Sequence, residues 1–534
     1  MNKSKAIVKQ ATFLAVAGIV VRIIGVLYRS PLTHMIGAEG NGYYSTAYNI
    51  YALVLMLSSY SIPTAISKLI SEKLALNQYD YADKIFHCAV IYITVISGVA
   101  ALLAFILAPL IVTKNAVFAL RILCPTIFLS GLVGVLRGYF QAHSTTVYTS
   151  ISQILEQIFN AVVSILAAWI FIQPYLNADP TLRASQGAGG SALGTGAGVL
   201  IALLFMVVMY ILKGRHLVDR IDPDPYTETN RQIVQSILAI VTPIIISTCV
   251  YNLVATFDMY VFYGVVGDSV RNIKLFGVYS GEFTPLMNVP VALASAMSTA
   301  TIPAISGSYA LENFREVKEN INSSISVTML VLIPSAFGLA TLSYPIMGLL
   351  FPQPETLAMA SMVLKIGAPG VIVYGLSTLT NGILQAIGEV KVPLHNAVVS
   401  LITHLVILFV ALLLLPKSLK DLSLYVLAMA STAYALQMCI MNQRALRRIV
   451  RYKMTWRRTF ILPILASTIM SIVVYVVYRG LFAITHMVFI PLVVSVVAGI
   501  VVYFAIVIYL YKDHLEELNN IPMMDKITRR IFSN

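Results

Sequence analysis

The chain has 534 residues, 58% of them hydrophobic and 11% charged, with a formal net charge of +13 and a mean hydropathy of +0.83. Soluble domains carry about 25% charged residues, so this composition excludes a soluble globular fold and indicates an all-α polytopic membrane protein. The positive balance does not indicate nucleic acid, because the basic residues sit in short loops between apolar spans, where they set topology.

The first apolar stretch, 11–36, follows a basic start (Lys3, Lys5, Lys9) and resembles a signal peptide. It is interrupted by Arg22 and no small-residue cleavage site follows, so it is expected to stay as a first transmembrane helix. Arg22 lies near its middle and Arg29 further along. A spacing of seven falls within about 20° of two full helical turns, so both guanidiniums belong to one face. An arginine at membrane depth is costly and usually faces a bundle interior or a wet cavity. Arg29 has the alternative of snorkelling to the interface, whereas Arg22 is too deep for that and is expected to face a polar cavity.

Spans of about twenty apolar residues then recur, near 43–70, 84–112, 116–142, 146–173, 190–213, 232–264, 273–306, 317–350, 356–387, 391–415, 422–443, 459–479 and 484–511. With the first stretch they predict about fourteen helices. One set of alternate loops holds most of the cations: Lys68, Lys73 and Lys84, then Lys213 to Arg231, Arg315 and Lys318, the run Arg444 to Arg458, and the tail with Lys512, Lys526, Arg529 and Arg530. The excess over the other set is roughly threefold, which by the positive-inside rule places both termini in the cytoplasm. The longest loop contains Asp222-Pro-Asp-Pro225 and reads as a linker between two halves.

The halves repeat. Ala119-Leu-Arg-Ile-Leu-Cys-Pro125 matches Val363-Leu-Lys-Ile-Gly-Ala-Pro369 at an offset of 244, and the same offset pairs Gly131 with Gly375, Gly138 with Gly382 and Gln141-Ala142 with Gln385-Ala386. Ser61-Ile-Pro-Thr-Ala-Ile-Ser67 matches Thr301-Ile-Pro-Ala-Ile-Ser306, and Tyr43-Tyr-Ser45 matches Val278-Tyr-Ser280. An offset of six helices preserves direction across the membrane, so the repeats are parallel. The expected organisation is an N-lobe (1–215), a cytoplasmic linker (216–231), a C-lobe (232–450) and two further helices with a tail (451–534).

Polar residues at depth are few. The first half offers Arg22, Arg29, Arg137, Gln153 and Glu156, and the second Asn252, Asp258, Glu282, Asn381 and Gln385. A buried carboxylate needs a cationic partner, a bound ion or a proton. Arg22 and Arg29 are natural partners, or they await an anionic ligand that the arginine fork would grip. The amides Gln153, Asn252, Asn381 and Gln385 are read first as interhelical hydrogen-bonding groups. Substrate contact is assigned to Arg22, Arg29, Glu156, Glu282, Asn381 and Gln385, and ion coupling to Asp258 and Glu389, with Glu282 a further cation or proton candidate. Glu389 also reads as a residue of a cytoplasmic turn. Walker A, HExxH, GxSxG and paired metal-ligand patterns are missing, so neither an enzyme nor a metal site is expected. Cys88, Cys124, Cys249 and Cys439 lie in apolar spans without CxxC spacing and are read as core residues. With no ATP site or cofactor, transport would run on an ion gradient, Na⁺ or H⁺, or on the membrane potential.

Arg22-Ile-Ile-Gly-Val-Leu-Tyr-Arg29, Ile36-Gly-Ala-Glu-Gly-Asn-Gly42, Ile62-Pro-Thr-Ala-Ile-Ser-Lys-Leu-Ile-Ser-Glu72 and Gly281-Glu-Phe-Thr-Pro-Leu-Met-Asn-Val-Pro290 resemble a known family. It is the polysaccharide-export branch of the multidrug/oligosaccharidyl-lipid/polysaccharide superfamily, and more narrowly the stage V sporulation protein B and YtgP group, related to MurJ-like lipid II flippases. The resemblance covers the whole chain. It implies an ATP-independent flippase for an undecaprenyl-pyrophosphate-linked cell-wall precursor, with arginines holding the pyrophosphate in a central cavity. Arg22 falls where the first-helix arginine of that motif falls. Arg29 stands one place beyond the next family arginine, whose position is Tyr28, and the arginines of the second and eighth spans have no counterpart here. The partners implied are a lipid-linked oligosaccharide pyrophosphate, membrane lipids and cell-wall synthesis proteins. The alternatives are a carrier of another polyprenyl-linked polysaccharide, a cation-coupled drug exporter with a carboxylate-dominated cavity, and a non-transporting scaffold of a cell-wall synthesis complex.

Overall fold

The computed structural model describes residues 17–18, 20–60, 62–143, 145–214 and 229–510. Almost all of the expected linker, the basic start and the tail lie outside them. Among the described residues every regular element is a helix. Ten helices are long and apolar enough to cross a membrane, and the pair Leu357–Gly367 and Gly370–Ala386, bent by 49°, makes an eleventh. Of the other expected spans, 11–36 is described only in part, while 232–264 and 273–306 fall on helices outside that count.

By packing, the chain forms two compact units, Met1–Gly281 and Glu282–Asn534. The repeat places its own boundary at 216–231. A repeat marks duplicated sequence, whereas compactness follows which helices touch. The first unit holds α1 (Arg29–Leu55), α2 (Ile62–Ala75), α3 (Tyr79–Ile111), α4 (Val117–Ala142), α5 (Val147–Ile172), α6 (Pro180–Leu212), α7 (Asn230–Val266) and α8 (Val270–Gly277). It reaches past the linker because α7 lies against α1, α2 and α3.

The first two expected spans meet at Gly37, whose φ of 70° breaks the helical path inside α1; a side chain in that region of backbone space is strained. The helix beyond it continues through a π-helical turn, Met56–Tyr60, into α2. The closest helix pair is α5 with α6. Gly190, Gly194 and Gly198 of α6 recur every four residues, and a Cβ on any of them would collide with α5 at Ala167, Ser164 and the Glu156 carbonyl respectively. Lipid gives helices no hydrophobic reason to associate, so small residues that allow backbone contact supply the packing instead. Ser164 adds a hydrogen bond to the Ser191 carbonyl, 3.0 Å. This contact fixes the rotation of α5 and hence the direction of Glu156.

The second unit holds α9 (Thr284–Ala310), α10 (Phe314–Thr341), α11 (Ser343–Leu350), α12 (Leu357–Gly367), α13 (Gly370–Ala386), α14 (Lys391–Leu414), α15 (Ser423–Ile449), α16 (Leu462–Thr485) and α17 (Phe489–Leu510). The last two helices, which fall outside the sequence repeat, pack on α10 through Leu330, Met470, Val474 and Val507, and the Tyr503 hydroxyl donates to the Leu330 carbonyl at 2.8 Å.

The repeat recurs as packing inside each unit. Gly138 of α4 lies against Pro63 and Ile66 of α2, and Gly382 of α13 lies against Ser298 and Ile302 of α9. Both glycines and both proline-containing segments are repeat pairs in the sequence, so each half uses the same close approach to join the same two spans.

Candidate functional site

Backbone hydrogen bonds run from Tyr28 to Ile24, 3.0 Å, and from Leu32 to Tyr28, 3.3 Å. Arg22, Gly25 and Arg29 therefore stay on one side of one helix, as their spacing predicts. Arg22 is exposed and Arg29 partly buried. Gly25 faces α5: a Cβ there would sit 3.3 Å from Gln157 Nε2. Gln153, Glu156 and Gln157 occupy i, i+3 and i+4 of α5 and are all partly buried, so the arginine side of the first helix meets a polar stripe.

Arg137 of α4 locks that stripe. Its Nη2 donates to Glu156 Oε2 at 2.7 Å and its Nε to Ser152 Oγ at 2.9 Å. Two partners on successive turns of α5 fix the guanidinium plane. The side chains keep 16% and 32% exposure, so the pair is not sealed in the core. Glu156 thus has Arg137 as an ion-pair partner.

Arg29 Nη1 donates to the Gly281 carbonyl at 3.1 Å. The snorkelling alternative gives way to a specific hydrogen bond between the first helix and the π-helical turn Val278–Phe283. Tyr48 is within electrostatic reach of both Arg29 and Glu156. Its ring stacks on Tyr44, with centroids 5.7 Å apart, and contacts Tyr51, 5.5 Å. Tyr44 and Tyr51 are buried while Tyr48 is 37% exposed, so this ladder leaves part of its aromatic surface open. Three guanidiniums, one carboxylate and a phenol suit an oxygen-rich anion, which the arginine fork binds through parallel hydrogen bonds.

The remaining predicted residues have surroundings of their own. Asp258 is 1% exposed on α7, and Glu282 is fully buried with no hydrogen-bond partner for either carboxyl oxygen among the described residues. Asn381 joins a network inside the second unit. Asn442 Nδ2 donates to Asn381 Oδ1 at 2.7 Å and to Thr380 Oγ1 at 3.0 Å, while Asn396 Nδ2 donates to Asn442 Oδ1 at 2.8 Å. That arrangement ties α13, α14 and α15 together. Gln385 is exposed on the last turn of α13, and Glu389 lies in the turn before α14. Cys88, Cys124 and Cys439 are free and buried. Among the described residues no cluster of His, Cys, Asp and Glu could hold a metal ion.

Sequence reasoning named Arg137 but not its pairing, and it missed Tyr48, Asn396 and Asn442. The signals were present: Tyr44, Tyr48 and Tyr51 have helical spacing, and the two asparagines interrupt apolar runs.

Comparison with known proteins agrees with this architecture. The family model described as polysaccharide biosynthesis protein matches residues 7–308, and the model described as MatE matches residues 243–410. The lipid II flippase MurJ of Bacillus subtilis (strain 168) is 24% identical over 494 residues, covering 88% of each chain. Stage V sporulation protein B of the same organism is 24% identical over 416 residues, covering 75% of this chain and 77% of its own length. The solved structure of lipid II flippase MurJ in its inward closed conformation superposes with a TM-score of 0.69 at 17% identity, over 94% of this chain and 99% of that one. With a family match across more than half its length, the chain belongs to the polysaccharide biosynthesis protein family of the multidrug/oligosaccharidyl-lipid/polysaccharide superfamily, and it is a multi-pass membrane transporter rather than an enzyme.

Proposed function

We propose that the protein is a flippase that moves the headgroup of an undecaprenyl-pyrophosphate-linked cell-wall precursor of the lipid II type across the plasma membrane. The observation that carries this reading is the cationic face of the first unit. Arg22, Arg29 and Arg137 outnumber the carboxylate Glu156 there, in a segment where each charge is costly unless used. A diphosphate matches that excess of guanidinium groups. The two halves of the repeat, 1–215 and 232–450, act as lobes that alternate access by rocking, with the polyprenyl tail left in lipid. Movement is driven by H⁺, Na⁺ or the membrane potential.

Reconstitution of the purified chain with lipid II tests the reading directly. The headgroup is expected to become accessible to a membrane-impermeant reagent in vesicles that contain the protein and not in empty ones. Translocation of a different polyprenyl-linked sugar, with lipid II left in place, would replace the substrate and keep the class. Transport of a free cationic drug with no lipid-linked substrate moved would overturn the reading.

Both termini and the Arg444–Arg458 loop are placed in the cytoplasm by their positive charge. A cysteine substituted for Met454 in this loop should be labelled by an impermeant thiol reagent only after the cells are opened. Strong labelling in intact cells reverses the orientation.

A further inference from the structure

The turn between α15 and α16 carries a cationic surface that transport does not use. Arg444, Arg447 and Arg448 fall at i, i+3 and i+4 on the last turns of α15, Arg451 follows just past its end, and all four are exposed, as are Lys453 and Arg457. The chain has no Asp or Glu between Asp421 and Asp513. Nearby acids at the start of α10 are engaged locally: Glu319 with Arg315, 3.0 Å, and Glu316 with Asn313, 2.9 Å. None of the six cations has an ion-pair partner among the described residues. Like charges at these helical spacings repel one another, so the stripe is unfavourable until an anion occupies it.

The stripe is also held rigid. Arg451 turns the chain out of α15 with φ of 53°. Beyond it, the Tyr452 hydroxyl, 3.2 Å, and the Thr455 hydroxyl, 2.8 Å, both donate to Asn322 Oδ1 on α10. Thr459 is fully buried and continues the anchor to Ser326 at 3.3 Å. One side of the turn is therefore pinned to α10 while the cations project from the other. Setting topology requires only charge in the loop; it requires neither a stripe nor an anchored backbone.

The surroundings identify the anion. Trp456, 64% exposed, lies over Phe460 with ring centroids 5.1 Å apart. The outward residues that follow are apolar, Ile461, Ile464 and Leu465, at 50%, 38% and 51% exposure. An exposed tryptophan between a basic stripe and an apolar helix surface marks the membrane interface, where cations just beyond the span meet lipid phosphates. We propose that the α15–α16 turn is a binding site for anionic phospholipid headgroups, built from Arg444, Arg447, Arg448 and Arg451 with Trp456 as its membrane-side anchor.

The test uses the full chain in nanodiscs of phosphatidylcholine alone or with phosphatidylglycerol added, comparing thermal unfolding midpoints. Phosphatidylglycerol should raise the midpoint by several degrees, and added salt should diminish the rise. The variant with Arg444, Arg447, Arg448 and Arg451 all changed to Gln should lose most of that rise and match the unaltered chain in phosphatidylcholine. Changing Arg315 and Lys318 to Gln should leave it intact. If the quadruple variant does not purify, the Arg447→Gln, Arg448→Gln double variant carries the test and should lose about half of the rise, since two of the four stripe charges remain. A phosphatidylglycerol response unchanged in either variant, or equal in the two lipid compositions, overturns the proposal.

Discussion

Replacing Arg22 with alanine is expected to lower headgroup translocation by about ten- to a hundredfold while folded protein is recovered at a near-normal yield, because a hydrogen bond to a charged group contributes roughly 1.5–3 kcal/mol and each 1.4 kcal/mol is a factor of ten. The yield should hold because Arg22 is exposed, so its truncation opens no cavity in a packed core. Arg22→Lys keeps the charge and loses the planar fork, and it should fall between alanine and the unaltered chain. Arg29 provides the contrast. It is partly buried and donates to the Gly281 carbonyl, so Arg29→Ala leaves that acceptor unsatisfied and should lower both yield and transport. Side-by-side measurement of folded yield and lipid translocation separates a ligand-binding arginine from one that only neutralises a carboxylate. A well-expressed Arg22→Ala protein that translocates at the full rate removes the main reason for assigning a pyrophosphate to this face.

Glu282→Gln is expected to fold with a stability within about 1 kcal/mol of the original, because the carboxyl has no hydrogen bond to lose, and yet to transport without regard to an imposed ion gradient. Glu282 is fully buried in a π-helical turn, Val278–Phe283, a departure from α-geometry that is frequent at functional sites. A carboxylate charge in that position has no partner among the described residues, and an unpaired buried charge is costly, so a bound proton or cation is the expected means of neutralising it. A glutamine has the same shape and stays neutral throughout, which removes the cycle of taking up and releasing an ion. Imposing a pH gradient and a Na⁺ gradient separately identifies the coupling ion. Asp258→Asn, at a site 1% exposed on α7, is the companion variant. Retention of full gradient dependence in Glu282→Gln withdraws the coupling role from Glu282, and the same result in Asp258→Asn withdraws it from Asp258.

Class and periodic order were legible in the sequence because they depend on local properties. Apolar length decides what can cross a bilayer, and every backbone group inside one must be satisfied within its own helix, so the all-helical form follows from composition. The duplication was legible for the same reason. Pro63 and Gly138 share one close contact, Ser298, Ile302 and Gly382 share the corresponding one, and such contacts tolerate few residue types. The seven-residue spacing of Arg22 and Arg29 placed them on one side of a helix before any neighbour was known.

The neighbours themselves were decided by tertiary structure. Glu156 pairs with Arg137 because the Gly190, Gly194 and Gly198 contact sets the rotation of α5, which hydropathy does not record. Arg29 finds its acceptor 252 residues away at Gly281. Asn381 becomes one spoke of a hub at Asn442 only because α13, α14 and α15 converge there. The boundary between compact units falls at Gly281 rather than in the linker because α7 packs back onto the first unit. Side-chain spacing along a helix is a property of the chain alone, whereas partnership and burial depend on how each helix is rotated against another, and that rotation exists only in the assembled fold.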